Sequence, residues 1–370
     1  MLLLALLAPS CLASESGLES LISEETQRLL ESMDITEIES LVPELDVASL
    51  LERAAAGENA LDGLELSQAL REALTAGWKQ LAPGMLRIAG ITVLCAGLLR
   101  LRSVTTSDGV AQMCQMLAYL CVALPISHQI AALLQQGRVV TSRMMDFYQA
   151  VLPTMLSLLT AVGGAQSAAQ MQGLSLTVTS VLAGFVQKGL FAALGIAAVL
   201  ACLKNFAPEI QLGRAFKLLR DGIHWSLGIC FTLFLGLLTV QGTTAVNYDG
   251  LTLRAAKYAI DQFVPVVGGA FKDTTDTLIG CSIAVKNAVG VVGLVGVLVM
   301  MLKPCLGILL TMGAYRLCAA ALEPLGDGHI VPALCDFADI LTTLFILLIS
   351  VSAMFFVFLA ALMRMGMGLV

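Results

Sequence analysis

Apolar positions in this chain come in long runs rather than in the one-faced or alternating patterns of water-soluble elements. Runs of about 20 residues, the length that crosses a bilayer as a helix, fall at 82–101, 109–127, 147–164, 174–203, 222–241, 278–302, 304–322 and 338–363. They predict an all-α, polytopic membrane domain over 81–370 with about 7–9 membrane segments. The 174–203 run is long for one span and is interrupted at Gln187-Lys188, so it reads as one segment or as two crossings. Pro153, Pro265 and Pro304 each open or interrupt an apolar run. At membrane depth such breaks are tolerated only where protein or water satisfies the freed carbonyls.

The pattern before residue 81 differs. MLLLALLAPSCLAS is too short to span a bilayer and reads as a signal peptide, residues 1–14. Residues 15–80 follow as an acidic, amphipathic, helical segment expected on the extracytoplasmic side. Leu18, Leu21, Ile22, Leu29 and Met33 keep helical spacing, and Asp34 with Glu37 makes a capping pair. This segment suits either a cap packed on the membrane domain or a docking surface for a partner.

Composition fixes the class. Of the 370 residues 58% are hydrophobic and 13% charged, with a mean hydropathy of +0.87, whereas soluble domains carry roughly 25% charged residues. From Glu15 to Glu65 there are 14 acids and two bases; after residue 80 there are 17 bases and 12 acids. The densest basic segment, Lys204, Arg214, Lys217 and Arg220, is expected in the cytoplasm. Simple alternation would put that segment outside, so two crossings of 174–203 are expected: Glu323, Asp327, Asp336 and Asp339 then fall outside and Arg364 inside, while Arg138 and Arg143 land in a loop on the wrong side.

No catalytic chemistry emerges. The ten cysteines contain no CxxC pair, mostly lie in or beside apolar runs, and read as small buried hydrophobes. His128, His224 and His329 are far apart, and there is no phosphate-binding lysine loop, HExxH or GxSxG. No metal, no cofactor and no nucleic-acid partner is expected, and the chain does not read as an enzyme.

One stretch concentrates polar and small residues within the apolar pattern: FVPVVGGAFKDTTDTLIGCSIAVKNAVGVVGLVG, residues 263–296. On a helix Asp273, Asp276, Thr277, Gly280, Ala284, Asn287 and Val291 share one face, and Gly290, Gly293 and Gly296 continue it as a ridge. Lys286 stands off that face and must snorkel, pair or line a wet cavity. The stripe reads either as tight helix packing or as a pore-lining or partner-facing surface. Pro265, Gly268 and Gly269 form a flexible entry, suited to a hinge or a re-entrant turn. Arg316 faces Glu323 two turns on or an interface.

This stretch, with LPTMLSLLTAVGG (152–164), TVQG (239–242), YRLCAAALEPLGD (315–327), SVSAMFF (350–356) and the acidic PELDVASLLERAAAGE (43–58), resembles the stage III sporulation protein AE family. The resemblance implies a multi-pass protein of the mother-cell membrane around the engulfed forespore, with the acidic segment in the intermembrane space. It implies a secretion-like channel complex required for forespore development; the polar stripe, the glycine ridge and the acidic segment make the conducting or export-gate core the leading reading of this chain within it. Implied partners are other stage III sporulation proteins: a cytoplasmic ATPase, ring-forming proteins and a forespore-membrane partner. Membrane lipid surrounds the chain, and further copies of it are possible partners. The alternatives are a secondary transporter for a small solute, with Lys286, Asn287 and Arg316 as its only ligand candidates, and a passive scaffold.

Overall fold

The computed structural model describes residues 47–55, isolated positions between 75 and 93, and residues 108–206, 212–263, 268–323 and 330–365, with backbone alone over 241–263 and 268–278. The signal peptide, most of the acidic segment, the 82–101 run as a whole and Pro265 lie outside the described residues. What is described is helical throughout: α1 (Val47–Ala55), α2 (Asp108–Ala161), α3 (Ala165–Val181), a π-helical segment (Leu182–Leu190), α4 (Phe191–Phe206), α5 (Gly213–Phe263), α6 (Gly268–Leu322) and α7 (Ile330–Arg364). Among the described residues, five helical stretches are long and apolar enough to cross a membrane: Met116–Ala161, Ala165–Phe206, Gly213–Val240, Ile279–Leu322 and Ile330–Arg364.

Two expected divisions disappear. Runs 109–127 and 147–164 belong to one helix, α2, which continues through Pro125 and Pro153. Runs 278–302 and 304–322 are likewise joined in α6 through Pro304. A proline removes one helical hydrogen bond, but in an apolar medium leaving the helix would strand many more backbone groups. Ser157 Oγ donates to the carbonyl of Pro153 itself at 2.8 Å, a contact beside the break that does not replace the bond the Gln149 carbonyl loses.

The ambiguous 174–203 run does not double back. Helix α3, the π segment and α4 form an unbroken helical course from Ala165 to Phe206, and Gln187-Lys188 lie within the π segment. A π turn widens the helix without ending it, so the polar pair is carried along a single crossing.

Helix α7 is the centre of the bundle. It packs against α2, α4, α5 and α6, and a helix with neighbours on most sides must be apolar nearly all round. Leu334, Leu341, Leu344, Leu347, Val351 and Phe358 are fully buried along it. Helices α2 and α7 run in the same direction and α6 runs against both. Descending α6, Gly290, Gly293 and Gly296 meet Met363 and Leu359 of α7, and Met155, Val151 and Phe147 of α2, in that order. Tyr315 then donates to Gln129 Oε1 of α2 at 2.9 Å. Tyr148 of α2 closes the third side against the rings of Phe355 and Phe358, at 5.1 and 5.2 Å.

Among the described residues, the α2–α3 turn, Val162-Gly163-Gly164, is the one place where positive φ is needed, with Gly163 at 93°. A side chain at Gly164 would also strike Leu159 at 2.9 Å. Helix α1 buries Val47, Leu50 and Leu51 in the main core and packs on α6.

Gly296 supplies a clean test of this packing, because an added Cβ would lie 2.5 Å from Phe147 Cζ. Gly296→Leu should therefore cost about 1–3 kcal/mol by overpacking, seen as a lower midpoint in thermal unfolding of the detergent-solubilised chain. Gly228→Ala on α5, where nothing lies within 4 Å, should leave the midpoint unchanged or raise it.

Candidate functional site

The stripe read from residues 263–296 divides into three parts. Its beginning is the start of α6: Gly268 and Gly269 stand in the first helical turn rather than in a loop, and Asp273 and Asp276 follow on the same helix with side chains outside the described residues. In the middle, Gly280 is exposed with nothing within 4 Å of a Cβ, and Ala284 and Asn287 are half-buried. Asn287 Oδ1 is buried without a hydrogen-bond partner. The end is internal. Gly290, Gly293 and Gly296 are buried against this chain's own α7 and α2, and a Cβ at Gly290 would sit 2.7 Å from Met363 Sδ and nearer still to its Cγ.

Lys286 takes the pairing option in an unforeseen form. Its side chain is fully buried, with 0% exposure, and Nζ donates to the Met363 carbonyl at 3.1 Å and to the Met365 carbonyl. These are among the last carbonyls of α7, which lack partners within their own helix. The negative end of the α7 dipole also favours a cation there. Lys286 is therefore a cap delivered from a neighbouring helix, and it does not reach out to lipid headgroups.

The opposite end of the bundle carries a second polar cluster that the sequence reading missed. Lys204 Nζ of α4 meets Asp336 of α7 at 3.0 Å (Oδ1) and 2.9 Å (Oδ2), and Asn205 Nδ2 donates to Asp336 Oδ2 at 2.8 Å. Arg220 of α5 donates to Asp339 Oδ2, and Arg316 of α6 lies 3.7 Å from Asp339 Oδ1. Arg316 also faces Thr342 Oγ1 at 3.4 Å, so its ionic partner is Asp339 rather than Glu323. Two acids of α7 thus collect three bases from three other helices. Tyr119 of α2 joins this end by donating to the Cys202 carbonyl at 2.7 Å. The signal for the cluster was Asp336 and Asp339, an i, i+3 acidic pair in an otherwise apolar helix.

These contacts correct the expected topology. Asp336 and Asp339 lie at the same end as Lys204 and Arg220, not across the membrane from them. The reason is parity: with one crossing over 165–206, the segment at 207–212 and the one at 323–329 are separated by two spans, α5 and α6. Arg138 and Arg143 belong to no loop; they sit within α2, with the Arg138 guanidinium over the Phe191 ring at 5.7 Å.

Along α6, Lys286 and Arg316 are about 45 Å apart at 1.5 Å per residue. A bilayer with its headgroup regions is roughly 40–45 Å thick. The two polar ends are therefore spaced as two membrane interfaces, with α7 apolar between Asp339 and Arg364. Among the described residues, no group of three or more His, Cys, Asp or Glu side chains is placed to hold a metal.

Replacing Lys286 by Met keeps bulk but leaves two carbonyls without their donor. An unsatisfied buried polar group costs about 1–3 kcal/mol, so faster amide exchange is expected in the last turn of α7, with the first turn unaffected. At the other end, Lys204→Asp should destabilise by placing two acids together, and adding Asp336→Lys should recover most of the loss. Thermal aggregation of both variants in detergent reads this out; an equally unstable double variant would contradict the pairing.

Comparison with known proteins identifies the family. The family model for stage III sporulation protein AE matches residues 45–366. The stage III sporulation protein AE of Bacillus subtilis (strain 168) is 29% identical over 334 residues, covering 90% of this chain and 83% of that protein. No solved structure matches. An all-helical membrane bundle, a matched span reaching from the acidic block to the last turn of α7, and this relative together place the chain in the stage III sporulation protein AE family.

Proposed function

We propose that this chain is a rigid membrane core of the channel complex that links mother cell and forespore, required for forespore development. The observation that carries the reading is the locked α2–α6–α7 block, capped at both ends by polar contacts spaced to the two faces of a bilayer. Such a block suits the fixed part of a multi-protein assembly. The cytoplasmic ATPase, the ring-forming proteins and the forespore-membrane partner dock on its two polar ends. No step of this role calls for catalysis or a cofactor.

The basic end, with Lys204, Arg214, Lys217, Arg220 and Arg316, faces the mother-cell cytoplasm by the positive-inside rule. If 82–101 forms one further crossing, Arg100 and Arg102 fall on that side too. The acidic segment before residue 80 then lies in the intermembrane space, as does the end of α7 with Arg364. With one crossing of 174–203, Arg138 and Arg143 are no longer in a loop on the wrong side, while Asp336 and Asp339 join the basic end and Arg364 lies opposite it.

An autonomous solute transporter is disfavoured by the state of its two charged candidate ligands, which leaves Asn287 alone. Lys286 is held by backbone carbonyls and Arg316 by Asp339 and Thr342, so neither stands open to a solute.

Two measurements test this reading. Alkaline phosphatase, active only outside the cytoplasm, should be silent when fused within 323–329 and active when fused within 264–267. In sporulating cells lacking the chain, engulfment should finish while late forespore transcription fails. Solute uptake by the purified chain alone in liposomes would count against it, as would normal late transcription without the chain.

A further inference from the structure

Beyond the stripe of α6, the exposed face of α2 is the surface least suited to lipid. His128, Gln135, Ser142, Asp146 and Ser157 are all exposed, and their spacing follows one helical row, with Arg143 exposed beside it. The row is about 45 Å long at the rise of a helix; Val139, also exposed, interrupts it, and polar groups recur along most of the depth of the bundle. Gln187 Nε2 of the π segment lies 3.9 Å from Met145 Sδ, which sets Lys188, also exposed, at the depth of Arg143 and Asp146. That depth is mid-membrane: Phe147 packs at Gly296, within the apolar stretch between Lys286 and Arg316.

Helix α5 shows what a lipid-facing surface looks like in the same bundle. Its exposed large side chains are Leu218, Trp225, Ile229, Leu233, Leu237 and Val240. Charged side chains are strongly disfavoured against hydrocarbon at the bilayer centre, and in membrane proteins they face the bundle interior or water. None of Arg143, Asp146 and Lys188 has an ion-pair partner among the described residues.

We propose that the α2 face, with Arg143, Asp146 and Lys188 at its midpoint, meets the same face of further copies of this chain and encloses a water-filled passage. This rests on the channel reading above and names where the passage runs: between copies along α2, not along the buried glycine ridge of α6. Copies arranged about an axis along the membrane normal keep equal depths together. Arg143 and Lys188 of one copy then stand level with, or one turn from, Asp146 of the next, so the face complements itself in charge. The apolar 82–101 run of the same chain has no matching charges at its centre and is a poorer occupant.

The test uses the full chain in membranes of sporulating cells. Arg143→Cys and Ser142→Cys on α2, and Leu233→Cys on α5, are treated with a charged maleimide and compared with the parent chain. A photoreactive benzophenone residue at 142 or 233 reports neighbours. Severalfold labelling over the parent at 142 and 143 but not at 233, with a covalent dimer of this chain from position 142, is the expected result. Ser142→Cys removes no charge and reads the same mid-membrane depth even if Arg143→Cys fails to accumulate. Absence of maleimide labelling at both α2 positions would overturn the passage, whether or not copies cross-link. Cross-links from 142 to lipid alone, or to a different protein, would overturn the second copy as occupant. Each of these outcomes is independent of the topology and sporulation measurements, so this inference can fail while the channel reading stands.

Discussion

Three helix backbones can approach closely only where one of them lacks side chains. In this chain that condition is met by Gly290, Gly293 and Gly296, three residues apart on α6. The side chains of Met363, Leu359, Phe147, Val151 and Met155 fill the space their missing Cβ atoms leave. Between membrane helices there is little hydrophobic drive to associate, so close packing supplies much of the attraction. The ridge fixes the register of α6 against α2 and α7 together. From that register follow the reach of Lys286 to the end of α7, the meeting of Arg316 with Asp339, and the hydrogen bond between Tyr315 and Gln129.

The polar groups are distributed by the same logic. At each end of the bundle they are paired across helices: a lysine on the α7 carbonyls at one end, and two aspartates among three bases at the other. Between the ends, α7 is apolar and buried, the exposed side of α5 is apolar, and the exposed side of α2 carries Ser142, Arg143 and Asp146 beside Val139. An exposed face suited to lipid on α5 and an unsuited one on α2 make the bundle lopsided. A lone bundle of this kind in lipid would leave the α2 charges unsatisfied, which is the physical reason for expecting a wet neighbour on that side.

Much of this was legible in the chain. Helical class, membrane residence and the close approach at the glycine ridge follow from run length, hydropathy and spacing, and the family was recognisable from the 263–296 block. What misled was the treatment of breaks. Pro153, Pro304 and the Gln187-Lys188 pair looked like ends of spans, yet helices continue through all three, because in an apolar medium the backbone loses more by unwinding. Dividing α2 at 127 turned residues 128–146 into a loop and hid the polar row from His128 to Ser157, although its 3–4 spacing was visible. The partner of Arg316 was misread for another reason: Asp339 is distant in sequence and is brought near only by the antiparallel pairing of α6 and α7. Asp273, Asp276 and Pro265 lie beyond what the described side chains address.

The central claim is that the ridge locks α6 to α7 by direct steric fit. A double-mutant cycle between Gly290 and Met363 reads this most directly, with unfolding midpoints of the four proteins measured in one detergent. Gly290→Val alone should be clearly destabilising, because Met363 occupies the space its side chain needs. Met363→Ala should make room, so the pair together should lose much less than the two single losses added. Strict additivity, or a harmless Gly290→Val, would contradict the account.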